Sequence, residues 1–438
     1  MNPRLLCRLC VFLVGLLVIV PTSVVAQEAL SLDKAVQLAL AQSSQMAISQ
    51  ADEARAYQTY LEAHDSYIPK IAVGSDVGYA YGFPLSLEGS APTLFNVSAQ
   101  SSVWNPSLRE FTKAARVEWS ASKTQTRDQR SRVIADTALT YIDLNRWESR
   151  LPILRDELDV AQNMEYAVAE RVKEGVDKGI ERTKAELVEA QVQVHLAEAV
   201  GAVDILRTRL AQLTGLTKSN IRTVRDSIPV LKENKDQSDL VTRAVQSNPA
   251  VESAEQSAMA KQLRAKGEHR ALYPSADFST QYGVINTSLT NYEQFFVPHT
   301  FQTQNVTFGL VLRFPFFDRS QRARAAAADA EALRAGKEAE QIKNKAALDA
   351  VQLQHNVDQL LAARHVADLR YKLAENELDA VHERMETQVG TQRDLQNAAI
   401  DAAERTLERI NADFELQRAE IELLRMRSEL ESWALASR

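Results

Sequence analysis

Residues 70–83 read KIAVGSDVGYAYGF. Ile71, Val73, Val77, Tyr79, Tyr81 and Phe83 take the odd positions, with Ser75 the exception. Lys70, Ala72, Gly74, Asp76, Gly78, Ala80 and Gly82 fill the even ones. A period of two marks a strand with one apolar and one polar face. A lone ribbon is barely stable in water, so this strand needs partners and a solvent for its apolar side. Phe95, Val97, Ala99 and Val103 alternate in the same way. So do Ala276, Phe278, Thr280, Tyr282 and Val284, and then Val306, Phe308, Leu310, Leu312 and Phe314, although Val311 breaks the polar side. Four strands are therefore expected, at about 70–83, 94–104, 275–286 and 303–315. Each is near the length that crosses a bilayer at a tilt. Tyrosines and phenylalanines gather near their ends, as in an interfacial girdle.

The rest of the chain reads differently. Across 438 residues there are only 14 glycines and 12 prolines, with 25% charged residues, which predicts long helices. The formal charge of −7 gives no support to nucleic-acid binding, which needs a basic surface. The first 26 residues form a secretory leader: Arg4 and Arg8, an apolar run from Leu9 to Val20, then Pro21 and Ser23-Val24-Val25-Ala26. Cleavage after Ala26 removes the two arginines and takes the charge from −7 to −9. Both cysteines, Cys7 and Cys10, leave with it, so no disulfide, thiolate metal site or cysteine nucleophile is expected. No later stretch reaches eighteen apolar residues, the length of a membrane-spanning helix, but that does not touch a β-barrel.

The sequence also repeats. Shifted by 205, ALAQSSQM (39–46) meets AVQSNPAV (244–251) and Pro69 meets Pro274. Shifted by 213, VWNPSLRE (103–110) meets FFDRSQRA (316–323), and Arg171, Val176, Glu181 and Ala185 meet Arg384, Val389, Asp394 and Ala398. Each half runs helix, proline, strand, loop, strand, long helix, turn, helix. The division is a first repeat at 27–215, a linker at 216–238 containing Pro229, and a second repeat at 239–438. The shift grows between Pro69 and Trp104, so the second half carries the longer strand–strand loop, where insertions belong.

From Asn105 to about Val172, past Pro106 at its start, only Pro152 interrupts, which gives roughly 100 Å of helix. Its stripe reads Ile134, Ala138, Tyr141, Leu144, Trp147, Leu151, Leu154, Leu158, Ala161, Met164, Val168 and Val172, a narrow coiled-coil seam. A second long helix is expected from about Asp318 to Glu386. Return helices follow at about 180–214 and 394–433, with Leu407, Ile410, Phe414, Ile421 and Leu424 continuing the seam. The arginines of 318–337 sit among acids and alanines and read as a solvated helix face.

In this order, twice, these features resemble the TolC-type outer-membrane efflux family (the outer membrane factors) over about 28–435. The marks are LSLDKAVQLALAQSSQMAISQADEARA (30–56) and SDLVTRAVQSNPAVESAEQSAMAKQLRA (238–265), with its Asn248-Pro249. Further marks are Tyr67-Ile68-Pro69 and Leu272-Tyr273-Pro274 before the first strands, and FPFFDRSQRARAAAADAE (314–331) leading into the long helix. Val389-Gly390-Thr391, followed by Asp394-Leu395 and Ala398, is similar to the family's hairpin-tip motif. The resemblance implies a mainly α fold with a membrane β-barrel segment. Three protomers would give four strands each to a twelve-stranded barrel in the outer membrane, and their helices would continue as a hollow barrel through the periplasm. It implies passive conduction as the exit duct of a tripartite efflux or type I secretion system, docked to a periplasmic adaptor (membrane fusion protein) and an inner-membrane transporter.

The resemblance also implies roles at the tip. Val389, Gly390 and Thr391, with Val176 and Asp177 in the first half, would meet the adaptor. Asp177 stands opposite Gly390, a departure from the pattern that weakens the first-half contact. Glu181 and Asp394, with Asn397 where the family often has a second acid, would line a periplasmic gate, latched by Arg393, Arg384 and Arg171. Which carboxylate faces the pore stays open at this point. Three copies of one carboxylate around an axis would favour cations there.

Enzyme readings fail on constellations. The seven histidines are scattered, with no HExxH, no GxSxG and no GxxxxGK[ST] loop, so no catalytic, cofactor or metal residues are assigned. The alternative to a duct is a periplasmic or secreted coiled-coil scaffold or adaptor without a pore. An adaptor would carry glycine-rich lipoyl half-motifs around one hairpin, and the sequence shows none.

Overall fold

The computed structural model describes residues 29–82, 92–218, 221–231, 242, 245–387, 389 and 391–436. The expected leader at 1–26, Phe83 and Gly390 lie outside them. Helices α1 (Leu32–Gln42) and α2 (Ser44–Asp65) open the chain, parted at Ser43, whose hydroxyl accepts the Met46 amide at 3.4 Å. Strands β1 (Lys70–Asp76) and β2 (Thr93–Trp104) lead into α3 (Pro106–Lys173), which turns back as α4 (Gly179–Thr214). The plan then recurs as α5 (Pro249–Arg270), β3 (Ser275–Ile285), β4 (Gln304–Arg313), α6 (Arg319–Glu386) and α7 (Gln392–Met426), followed by a short α8 (Leu430–Ala434). Helices α2 and α5 are both 22 residues and begin at Ser44 and Pro249; α3 and α6 are both 68 residues and begin at Pro106 and Arg319. At 1.5 Å per residue each long helix reaches about 100 Å. Among the described residues no helix is long and apolar enough to cross a membrane.

The long helices pack through small, periodic residues. On α6 the buried positions Ala325, Ala332, Ala339, Ala346, Leu353, Ala367, Ala374 and Val381 follow a seven-residue rhythm, with the half-buried Leu360 at the step between Leu353 and Ala367. Such a rhythm imposes a left-handed supercoil on neighbouring helices. Helix α3 continues through Pro152 and buries Ile134, Ala138, Tyr141, Leu144, Leu154, Ala161, Met164 and Val168, as the seam predicts. One buried seam position carries an unexpected residue: Glu157 is 4% exposed, whereas Leu158, like Trp147, Leu151 and Val172, is only half-buried. Glu157 stands three residues after Leu154 and four before Ala161, which is a seam position. The apolar residue beside it drew the sequence reading one step off. The last return helix is also shorter than expected, since α7 stops at Met426 before Ser428, whose φ of 59° breaks the helix.

Near the middle of α3 the inter-repeat chain is bound in. The buried Tyr141 hydroxyl donates to the Leu30 carbonyl at 2.6 Å and receives the Val224 amide at 2.8 Å. The Leu30 amide in turn donates to the Arg222 carbonyl at 2.9 Å. Four backbone polar groups are thus satisfied by one side chain and one bridge, which fixes 221–228 against α3.

The sheet has the order β1-β2-β3-β4, each neighbour antiparallel. Strand β1 ends at Asp76, short of the expected 83. The register slips between Gly74 and Asp76, and β2 offers no residue beyond Thr93 to pair with. Ala80 instead bridges Thr290 in the β3–β4 loop, and the Gly82 amide donates to Asn291 Oδ1 at 2.9 Å.

Candidate functional site

Directly paired strand residues share a face, so the register sorts the sheet. One face carries Ile71 and Val73, then Phe95 and Val97, then Phe278 and Tyr282, then Val306, Phe308, Leu310 and Leu312. The opposite face carries Ala72 and Gly74, Asn96, Ser98 and Gln100, then Ser279, Gln281 and Gly283, then Asn305, Thr307 and Gly309. Most of the apolar side chains stand exposed on the chain, with Ile71, Val73, Phe308 and Leu310 among them. Charge on the polar face gathers at the end nearest the helices, where Arg313 lies 3.7 Å from Asp277 and Lys70 opens β1. The outer edges of β1 and β4 have no strand beside them among the described residues.

At the far end of the long helices are two turns. In the first, α3 closes with Gly175 at φ 79°, a left-handed value that glycine takes without strain. The Val176 and Asp177 amides both donate to the Arg171 carbonyl, at 2.9 and 3.2 Å. In the second, the Val389 amide donates to the Arg384 carbonyl at 3.0 Å, the equivalent bond after a shift of 213. Both valines point outward, Val176 at 61% and Val389 at 78% exposure.

The polar residues of the tips divide by role. Arg171 grips Asp177 with Nε at 2.7 Å and a terminal nitrogen at 3.3 Å. That bond holds the Asp177 carboxyl below its usual range. Within the chain Arg171 therefore ties its own turn, with Asp177 as its partner. Asp394 closes a capping box with Thr391: its amide donates to the Thr391 hydroxyl at 3.2 Å and its carboxylate accepts the Thr391 amide at 3.2 Å. These bonds also lower its pKa, so the expected gate carboxylate serves as a helix cap. Arg384 turns along its own helix, its Nε donating to the Ala380 carbonyl at 3.2 Å. Asn397 is exposed.

One latch spans the two hairpins. Arg393 donates to Glu181 at 2.7 Å, joining the start of α7 to the start of α4, and Lys184 donates to the other Glu181 oxygen at 2.9 Å. The Lys184 bond first, and then Arg393, hold the Glu181 carboxyl below its usual range. Beneath them Met164, Val168 and Ala185 pack with Val172 and Ile400. Lys184 went unnoticed in the sequence, although its spacing of three from Glu181 on a helix is the signal for such a pair.

A duplicated chain whose antiparallel sheet stands on two 68-residue helices, each returning through a hairpin, has the fold of the TolC-type outer membrane factor channels. Among solved structures it is similar to the outer membrane protein VceC from Vibrio cholerae, at a TM-score of 0.69 and 16% identity over 90% of this chain and 95% of that one. It is similar to the Neisseria gonorrhoeae MtrE outer membrane channel in its open state, at 0.69 and 16% over 92% and 89%. It is also similar to the Campylobacter jejuni CmeC outer membrane channel, at 0.68 and 15% over 91% and 86%. Identity at this level defines the fold. No family model matches the chain, and no curated protein matches its sequence.

Proposed function

We propose that the chain is one protomer of a homotrimeric outer-membrane duct that passes small molecules out of the cell. The observation that carries this reading is the open four-stranded sheet, apolar on one face and polar on the other, in a chain with the fold of outer-membrane channels. An unpaired strand edge in lipid costs several kcal/mol per unsatisfied backbone group. β4 runs towards the helices and β1 away from them, so β4 of one copy meets β1 of the next antiparallel. Three copies close twelve strands and leave no edge. The apolar face then meets lipid and the polar face lines water.

The long helices hang from that barrel into the periplasm and end at the two tips. Val176 and Val389 offer apolar knobs to a periplasmic adaptor, which links the duct to an inner-membrane transporter that supplies the energy. The Arg393–Glu181 pair holds the two hairpins together, so separating them widens the tip.

The test is to express the full chain, isolate outer membranes and assay the protein in planar bilayers. A heat-modifiable trimer with discrete single-channel conductance is expected. A soluble, non-conducting product would identify a coiled-coil scaffold without a pore.

A further inference from the structure

Both strand-to-helix junctions carry the same cassette. Strand β2 ends on Trp104, and Asn105 caps α3 by accepting the Ser107 and Leu108 amides, both at 3.1 Å. Arg109 follows at the fourth helical position. In the second repeat Phe317 precedes Asp318, which caps α6 by accepting the Gln321 amide at 2.8 Å, and Arg322 takes the fourth position. The residue before a cap and the fourth helical residue are the two that a helix start brings to one side. Each junction therefore places an aromatic residue just before the cap and an arginine one turn into the helix.

Trp104 belongs to the apolar row of the sheet, and Phe317 lies exposed just past the end of β4. Trp104 pairs with Ala276, which pairs with Leu312 in the apolar row, and Trp104 is exposed. Phe317 is 77% exposed, and Phe316 beside it is 88% exposed. Rings of this kind sit where acyl chains give way to headgroups.

The arginines have little support from their own protein, Arg109 standing near the Tyr67 hydroxyl. Arg109 and Arg322 are exposed, and neither makes an ion pair among the described residues. Neither helix carries an acid in its first turn. A cation at a helix start opposes the positive end of the macrodipole. Each junction holds a cation in this field, which the Asp318 carboxylate offsets in part at α6 and the neutral Asn105 cap leaves in place at α3, so each is complementary to an anion outside the protein. The fourth residue lies about 5 Å beyond the helix start, and the headgroup zone is about 5–8 Å deep on each side of a bilayer.

We propose that Arg109 and Arg322 bind the phosphate of anionic phospholipids in the periplasmic leaflet, with Trp104 and Phe317 holding the acyl boundary. Guanidinium suits a phosphate oxygen pair, which it binds bidentately. A trimer presents six such seats around the foot of the barrel. The inference rests on the outer-membrane reading of the sheet.

The test uses the full chain in vesicles of phosphatidylethanolamine with a minor share of phosphatidylglycerol. Protein is extracted in mild detergent and its retained lipid is measured by native mass spectrometry. Wild type should retain phosphatidylglycerol at roughly five times its bulk proportion, the effect of one favourable charge contact at a membrane surface. Enrichment should fall to bulk in Arg109→Gln/Arg322→Gln and persist in Arg116→Gln, an exposed arginine two turns further down α3. Bulk composition in wild type, or enrichment kept by the double variant, overturns the proposal. If the double variant does not fold, wild type decides alone: enrichment must shrink when vesicles are loaded at high salt. A chain that enters neither these vesicles nor pure phosphatidylethanolamine overturns the outer-membrane reading itself, whereas insertion without lipid preference removes only this inference.

Discussion

Arg393 and Glu181 are 212 residues apart in the chain and 2.7 Å apart in space. Their bond is the direct polar tie between the two hairpin tips described above, and both partners sit on the first turns of their helices. An exposed ion pair adds little to stability, so its effect belongs to opening. Arg393→Ala and Glu181→Ala should each raise single-channel conductance while leaving the thermal midpoint in place. The swap Glu181→Arg/Arg393→Glu should restore the wild-type value. Because the Glu181 pKa is lowered, the pair is intact above the ordinary carboxylate range and is lost as pH falls through that lowered value. Conductance should therefore rise only at acid pH, and a swap that fails to restore it removes the latch.

Asp394 calls for a different outcome. Its carboxylate is engaged with Thr391 in the cap of α7, so Asp394→Ala and Thr391→Ala should act alike. Amide exchange across the first turn of α7 should quicken roughly fivefold, the usual effect of a lost N-cap. Conductance should change less than in Arg393→Ala. If Asp394→Ala alone opens the channel as far as Arg393→Ala does, the carboxylate faces the pore after all.

The outline of the fold was legible because period-two strands and seven-residue seams both survive in the sequence as counted intervals. The repeat was legible for the same reason, through caps such as Ser43 and Asn248 that fall at matching places. The length of β1 was not, since Val77, Tyr79 and Tyr81 keep their alternation while β2 runs out of residues to pair with them. At the tips, the charges of both turns could be read from the sequence, but their partners within the chain could not. Arg171, Arg384 and Arg393 look alike on paper. A turn of six residues gives Arg171 a carboxylate of its own, and only Arg393 reaches across to the other hairpin.

Glu157 gives the chain a stability that depends on pH. One carboxylate oxygen is buried with no hydrogen-bond partner among the described residues. Burial first, and then the charge of Glu404, push its carboxyl from an ordinary 4.5 up to about 7. A raised carboxyl favours the folded state most fully below the unfolded value and withdraws that support as pH rises from about 4.5 to about 7. By pH 8 the buried charge costs on the order of 3 kcal/mol. Glu157→Gln should therefore raise the thermal midpoint at pH 8 and change it little at pH 5. Equal shifts at both pH values would show that the side chain is not titrating there.

Next to the sheet a glycine reverses an ordinary rule. Gly267 lies inside α5, where alanine commonly stabilises a helix by about 1 kcal/mol. A Cβ at this position would lie 2.6 Å from the Phe111 ring of α3. Overpacking of this kind costs about 1–3 kcal/mol, so Gly267→Ala should lower the thermal midpoint. Phe111→Leu should rescue it in the double variant by removing the ring edge. Gly336, with open space around its Cβ direction, is the control at which alanine should stabilise.

The two faces of β4 allow the lipid assignment to be tested one residue at a time. Phe308 stands in the apolar row opposite Thr280, and Thr307 stands beside it on the polar face opposite Gln281. An arginine facing lipid near the bilayer midplane costs about 2–4 kcal/mol, whereas one facing a wet lumen costs little. Phe308→Arg should therefore slow or abolish folding into vesicles, as followed by heat modifiability. Thr307→Arg should fold like wild type and shift the channel's ion preference towards anions, since it adds positive charge to the pore wall. If the two substitutions exchange these effects, the sheet is turned the other way, with its apolar row inward. Lipid would then meet Asn305, Thr307 and Gly309, a face too polar for it to solvate.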